Sequence, residues 1–234
     1  MHTTQYLSAL LLSLPLATTT TTTTTTIPPT TTTTTVQTYS PAQEPSLTYS
    51  ITIPNTTTTT TGGPIYLRIS APTTLQWASL GQGANMSTAN IFLVWVGADK
   101  SNITLSPRSG GTGEPTYNPR AEVTLLNGSG VVGGRMIADM RCDNCLGSWG
   151  DIPAAGGGGA ANGSSGEGGF VMDPEGNNTS WFWAFKKGPE LDDSDVNADL
   201  GMHDEKGEME WDLSRARFDV PAAGGLEGWF NPFV

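Results

Sequence analysis

The sequence predicts an all-β protein, an antiparallel β-sandwich or barrel that begins near Pro45 and ends near Val220. Apolar or alternating segments are short, and Gly, Pro, Asn and Ser separate them. No stretch of a dozen or more residues has a strong apolar helical period. The candidate strands, in chain order, are Leu47–Ile53, Ile65–Ser70, Leu75–Leu80, Ile91–Val96, Asn102–Leu105, Ala121–Leu126, Val131–Arg141, Phe170–Met172, Ser180–Phe185 and Glu208–Leu213.

The N-terminus has the pattern of a secretory signal. Tyr6–Leu16 is an apolar run as long as a signal-peptide core and far shorter than the roughly 20 residues of a membrane span, and Ala17 is a small residue at the cleavage position. Residues 1–17 are therefore predicted to be a signal peptide, and no later stretch is long enough to cross a bilayer. We expect an extracellular, secreted protein.

Low-complexity segments flank and interrupt the strands. Residues 18–44 are mostly threonine and have little to bury, so they are expected to form a disordered, O-glycosylated linker. Thr56–Thr61 is expected to be a loop, and residues 156–169, rich in Gly, Ala and Ser, a flexible surface insertion. The domain is predicted to span residues 45–220, followed by a C-terminal tail over 221–234.

The charge balance and the histidine count exclude several functions. The chain has 22 acidic and 11 basic residues and a net charge of -11, which disfavours nucleic acid and anionic membranes as partners. After signal removal His203 is the one remaining histidine, and no G-x-S-x-G motif accompanies it. Cys142 and Cys145 lack the following histidine of a c-type haem site, and a local disulfide is the expected state in an oxidising compartment.

The acidic segment 173–219 carries 13 of the 22 acids. Asp193, Asp195, Asn197 and Asp199 alternate as calcium ligands do, but Ala198 stands where a calcium loop needs glycine. A solvated acidic loop is the favoured interpretation.

Several segments together resemble the cytochrome domain of fungal cellobiose dehydrogenases. A tryptophan leads into a glycine-rich turn that carries a methionine, a cysteine pair follows an arginine, and W-A-F stands 20 residues before a histidine. The residues that carry the resemblance are Ala71, Pro72, Trp77, Leu80, Gly81, Met86, Ile91–Trp95, Arg141–Cys145, Trp183–Phe185, His203, Gly207, Asp212, Ser214 and Ala216.

The resemblance implies an immunoglobulin-like sandwich that binds one non-covalent haem b. Its axial iron ligands would be Met86 and His203, with Phe92 and Trp95 in the pocket wall and Arg108 near a propionate. Met/His ligation leaves no open iron position and raises the potential, which suits electron transfer. A separate flavin dehydrogenase would donate electrons to this monomer. A copper polysaccharide monooxygenase or ferric complexes would accept them.

Two departures from the family pattern and two alternatives remain open. The family has an aromatic residue after the Thr-Gly that here is Thr112-Gly113, whereas this chain has Glu114. After the histidine the family runs aromatic, whereas this chain has Glu205, Lys206, Glu208 and Glu210. The alternatives are a haem-free secreted module that binds a carbohydrate or protein, and a ferric reductase. Sequons at Asn55, Asn85, Asn102, Asn127, Asn162, Asn177 and Asn178 predict a glycoprotein.

Overall fold

The computed structural model describes residues 18–27, 30–150, 171–220 and 230–234 of the chain. In these ranges two β-sheets pack face to face, and the predicted immunoglobulin-like antiparallel β-sandwich is confirmed. The signal sequence, the glycine-rich insertion with its Asn162 sequon and residues 221–229 lie outside the described residues.

The first sheet has eight strands. They are β1 (Thr19–Ile27), β2 (Thr30–Tyr39), β3 (Thr48–Pro54), β4 (Ile65–Pro72), β9 (Val123–Leu125), β10 (Gly130–Val132), β11 (Arg135–Cys142) and β14 (Arg217–Phe218). In space they follow the order β1-β2-β14-β3-β4-β11-β10, and β9 pairs with β11 as well. All pairs are antiparallel except that of β14 with β3.

The second sheet has six strands, all antiparallel, in the order β13-β12-β5-β6-β7-β8. They are β5 (Leu75–Gln82), β6 (Asn90–Val96), β7 (Ile103–Ser109), β8 (Thr116–Tyr117), β12 (Thr179–Lys187) and β13 (Glu205–Trp211). Two short 3₁₀ turns, Met86–Thr88 and Leu213–Arg215, complete the regular structure of the described residues.

The main core lies between the sheets and follows the two-residue period of the strands. On β6, Phe92 and Val94 belong to this core, whereas Leu93 and Trp95 belong to a smaller cluster on the opposite, outer face of the second sheet. All seven residues of β6 are buried because both of its faces are covered. The second sheet therefore needs a cover on its outer side.

The threonine-rich segment, which was predicted to be disordered, forms two strands. β1 and β2 pair along their full length, and β2 also pairs with β3. The buried Gln37 exchanges two hydrogen bonds with the backbone of Asp212, at 2.6 and 3.2 Å, and Thr52 Oγ1 donates to Thr35 O at 2.8 Å. Polar pairing and the high β-propensity of threonine replace the apolar burial that the sequence lacks there.

Two predicted strands also differ from the structure. The segment predicted as one strand over Val131–Arg141 is a hairpin, β10 and β11, because Gly133 and Gly134 turn the chain with φ of 56° and 74°. Of the predicted strand Phe170–Met172, Val171 makes an isolated bridge to Gly147.

The outer face of the first sheet carries the end of the chain. Phe230 and Phe233 pack on a cluster of Tyr66, Leu126 and Phe218, and Asn231 bonds to Asp139 beside them. Residues 230–234, predicted to belong to a tail outside the domain, are therefore docked on the sandwich.

The predicted disulfide between Cys142 and Cys145 is present and buried at the end of β11. None of the described residues form a helix long and apolar enough to cross a membrane.

Candidate functional site

Met86 lies in the connection between β5 and β6. It opens the 3₁₀ turn Met86–Thr88, which Asn85 caps by accepting a hydrogen bond from the Ser87 amide at 3.1 Å. The backbone of Met86 lies so close to Gly110 that a Cβ there would overlap the Met86 carbonyl. The residue is 39% exposed, so the core does not hold its thioether.

His203 lies in the connection between β12 and β13 and is half-buried. Its neighbours fasten the chain to the end of β12: Lys186 Nζ donates to Met202 O at 3.0 Å, and the Asp204 amide donates to Phe185 O at 3.0 Å. His203 is therefore held beside the last residues of β12.

The strand register places these two residues at opposite ends of the second sheet. Met86 follows the end of β5 at Gln82, which pairs with Trp181 near the start of β12. His203 instead follows the end of β12, where Lys187 pairs with Leu75 at the start of β5. The two connections that carry the candidate ligands therefore leave β5 and β12 at opposite ends of the sheet.

The candidate wall residues Phe92 and Trp95 face opposite sides of the sheet. They are three residues apart on β6, and successive side chains of a strand alternate between faces. Phe92 packs between the sheets, with ring centroids 5.4 Å from Trp149 and 6.4 Å from Trp181. Trp95 lies on the outer face with Trp77, Leu93 and Ala184, so the predicted wall is divided.

The connection between β12 and β13 covers this outer face. Trp95 Nε1 donates to Asp193 O at 2.8 Å, and Trp77 Nε1 donates to Leu200 O at 3.0 Å. Trp77, whose indole packs on this face beside Trp95, was not among the pocket residues predicted from the sequence. The sequence signal for it is the uninterrupted apolar run 91–96, which requires two covered faces.

The side chain of Arg108, which the sequence predicted to lie near a haem propionate, is hydrogen-bonded to groups of its own chain. Its side chain is 3% exposed, and Nη2 donates to Val196 O at 3.1 Å and to Ala198 O at 2.6 Å. Nη1 donates to Pro115 O at 3.0 Å and to Glu114 Oε1 at 3.4 Å. Burial lowers the pKa of the guanidinium, and Glu114 opposes that shift. Glu114 thus pairs with Arg108 where the family has an aromatic side chain.

The alternating acidic side chains lie within this cover, and their oxygens accept hydrogen bonds from backbone amides of the same segment. Asp193 accepts from the Asp195 amide at 2.7 Å, and Asp195 accepts from the Asn197 amide at 2.9 Å. The hydrogen bonds that Asn197 donates from its amide and its side chain lower the pKa of Asp195. In the part of the chain that the structure describes, no three His, Cys, Asp or Glu side chains converge as metal ligands would.

The connection between β12 and β13 covers the outer face, and the connections that carry Met86 and His203 lie at opposite ends of the second sheet. Two open grooves of about 450 and 380 Å³ lie elsewhere, around Asn177 and Asn178 near the start of β12, and neither is lined by Met86 or His203. A thioether and an imidazole are donor types that hold a haem iron, so Met86 and His203 suit haem b by their chemistry.

Comparison with known proteins assigns the fold. The cytochrome b domain of pyranose dehydrogenase from Coprinopsis cinerea matches with a TM-score of 0.58 and 19% identity, over 78% of this chain and 84% of that one. The cytochrome domain of Myriococcum thermophilum cellobiose dehydrogenase matches with a TM-score of 0.60 and 18% identity, over 83% and 90% of the two chains. The fold is that of the cytochrome domains of sugar dehydrogenases.

The family follows from the sequence itself. The model of the cytochrome domain of cellobiose dehydrogenase matches residues 27–220, and the chain belongs to that family. The resemblance of the sequence motifs is thereby confirmed. Domains of this family are haem b cytochromes, consistent with electron transfer. No curated protein matches the chain.

Proposed function

We propose that this chain is an extracellular b-type cytochrome that passes single electrons from a separate flavin dehydrogenase to an acceptor. The acceptor is a copper polysaccharide monooxygenase or a ferric complex, and Met86 and His203 are the axial ligands. The match to the family over residues 27–220 carries this proposal. When bound, a Met/His-ligated haem supplies reversible one-electron exchange without an open iron position.

The exposure of both candidate ligands supports this assignment. In the first half of β13, Glu205, Lys206 and Glu208 are exposed, and Met209 is the first buried side chain. The chain after His203 therefore runs along the surface, and Gly207 packs on the indole of Trp183. Met86 is 39% exposed, so neither candidate side chain is part of the core.

An absorption spectrum tests the proposal. The secreted protein, as purified and after incubation with haemin, is expected to show a low-spin spectrum with sharp bands on reduction. Met86→Leu is expected to keep haem but lose the low-spin bands, and His203→Ala to lose most of the haem. Met202→Leu is the matched control, because Met202 is 80% exposed beside His203. A native protein without a low-spin spectrum, or low-spin bands in both ligand variants, contradicts the assignment.

A haem-free binding module is the second candidate. The covered outer face favours it, because the connection between β12 and β13 already accepts hydrogen bonds from Trp77, Trp95 and Arg108 there. The same spectrum separates the two candidates: a protein that stays colourless with haemin is a sandwich that presents its loops to a carbohydrate or protein.

The extracellular location is part of the proposal and rests on the N-terminal pattern. Cleavage after Ala17 would release a chain that begins with the threonine-rich segment. N-terminal sequencing of the protein from culture medium tests this. An intact Met1 on the extracellular protein would contradict it.

A further inference from the structure

The cover of the outer face is attached mainly by polar contacts, and we call residues 190–201 the strap. The sheet supplies the donors and the strap supplies backbone acceptors: Trp77 donates to Leu200 O, Trp95 to Asp193 O, and Ser106 Oγ to Val196 O at 2.6 Å. Four carbonyls of the strap, those of Asp193, Val196, Ala198 and Leu200, accept from side chains of the sheet. The strap thus occupies the donors that this face would offer to a ligand.

The apolar attachment of the strap is small. Ala198 and Leu200 are buried against the outer face and Leu191 is partly buried, whereas the other strap side chains are exposed or half-buried. A segment with so little apolar burial opens at a lower free-energy cost than the core strands beneath it. The strap is therefore the part of the site that can leave while the sheet stays intact.

Glu114 joins the strap to the sheet. Its Oε1 accepts from the Leu200 amide at 3.2 Å and pairs with Arg108 Nη1 at 3.4 Å. The side chain comes from the connection between β7 and β8, which belongs to neither the strap nor the outer face. One carboxylate therefore holds the strap's most buried residue and the guanidinium that binds two strap carbonyls.

We infer that the strap closes the outer face of the second sheet, that Glu114 is its latch, and that haem reaches this face only when the strap opens. The part that concerns haem rests on the proposed function, whereas the latch does not.

Hydrogen exchange measured by mass spectrometry tests the latch on the haem-free protein. Glu114→Ala removes a hydrogen bond to a charged acceptor, so amides of residues 190–201 are expected to exchange about ten-fold faster or more. Glu114→Gln, which keeps an acceptor oxygen, is expected to give a smaller increase. Glu122→Ala, an exposed acid next to β9, is the control and should leave the strap unchanged. Equal exchange in Glu114→Ala and Glu122→Ala would overturn the latch.

Haemin uptake, followed by the growth of the Soret band, tests the gating. Uptake is expected to be several-fold faster in Glu114→Ala than in the wild type and in Glu122→Ala. Equal uptake rates in all three proteins would overturn the gating, even if the exchange result holds. If none of them takes up haemin, the proposed function fails, and the exchange measurement alone decides for or against the latch.

Discussion

Asp139 is the most completely buried acid that the structure describes, and its removal should be costly. Its side chain has no exposed surface. Its oxygens accept from Arg68 Nε at 2.5 Å, Arg68 Nη2 at 2.7 Å and Asn231 Nδ2 at 2.6 Å. Asp139→Ala leaves the guanidinium without its carboxylate and the docked chain end without one anchor.

The expected loss follows from this geometry. Breaking a buried pair by removing one partner costs about 3–5 kcal/mol, and because Arg68 is 25% exposed we expect the lower value, about 3 kcal/mol. For a domain of this size that corresponds to a melting temperature lower by about 6–12 °C. Urea unfolding followed by tryptophan fluorescence measures the change.

A surface pair provides the matched control. Asp143 accepts from Arg141 Nη2 at 2.6 Å, and the two side chains are 35% and 20% exposed. Such pairs contribute about 1 kcal/mol or less, so Asp143→Ala should cost far less than Asp139→Ala. The reasoning fails if the free energy of unfolding of Asp139→Ala is within about 1 kcal/mol of the wild-type value, or if Asp139→Ala and Asp143→Ala lose the same amount of stability.

Three further predictions concern the core, the glycans and the partner. Burial raises the pKa of Tyr49 well above its usual value, with Tyr39 adding to the shift, and its hydroxyl has no hydrogen-bond partner among the described residues. The unfolded state therefore releases this proton first as the pH rises above about 10, and stability falls by up to about 1.4 kcal/mol per pH unit. Tyr49→Phe should be as stable as wild type or more so at pH 7 and should lose less in urea melts at pH 11; an equal alkaline loss would refute this. Asn85 and Asn127 are exposed and each begins a sequon. A glycan on Asn85 would be hard to accommodate if its neighbour Met86 is an iron ligand, so glycopeptide mapping should find Asn127 occupied and Asn85 unoccupied. Full occupancy of Asn85 would count against Met86 as a ligand. Because 13 acids lie between 173 and 219, electron exchange with a basic partner should slow as salt rises, and stopped-flow rates independent of ionic strength would remove electrostatic steering.

The sequence alone predicted the properties that depend on local patterns. Alternating short segments with frequent turn residues predicted the sandwich, because strand faces follow a two-residue period. The strands Leu75–Gln82 and Asn90–Val96 fall close to their predicted bounds. The Cys142–Cys145 disulfide also depends on neighbours in the chain, and motifs at fixed spacing identified the family.

Strand order and register decided which distant residues meet. Met86 and His203 lie in connections at opposite ends of one sheet, and motif spacing carries no information about that pairing. Trp77 meets Leu200 across 123 positions of the chain, and Glu114 meets the same residue across 86. The threonine-rich strand β2 is ordered because β3 and β14 supply backbone partners that its composition does not reveal. Contacts of this kind form only when the sheets assemble. They join segments that are far apart in the chain, so local sequence patterns do not indicate them.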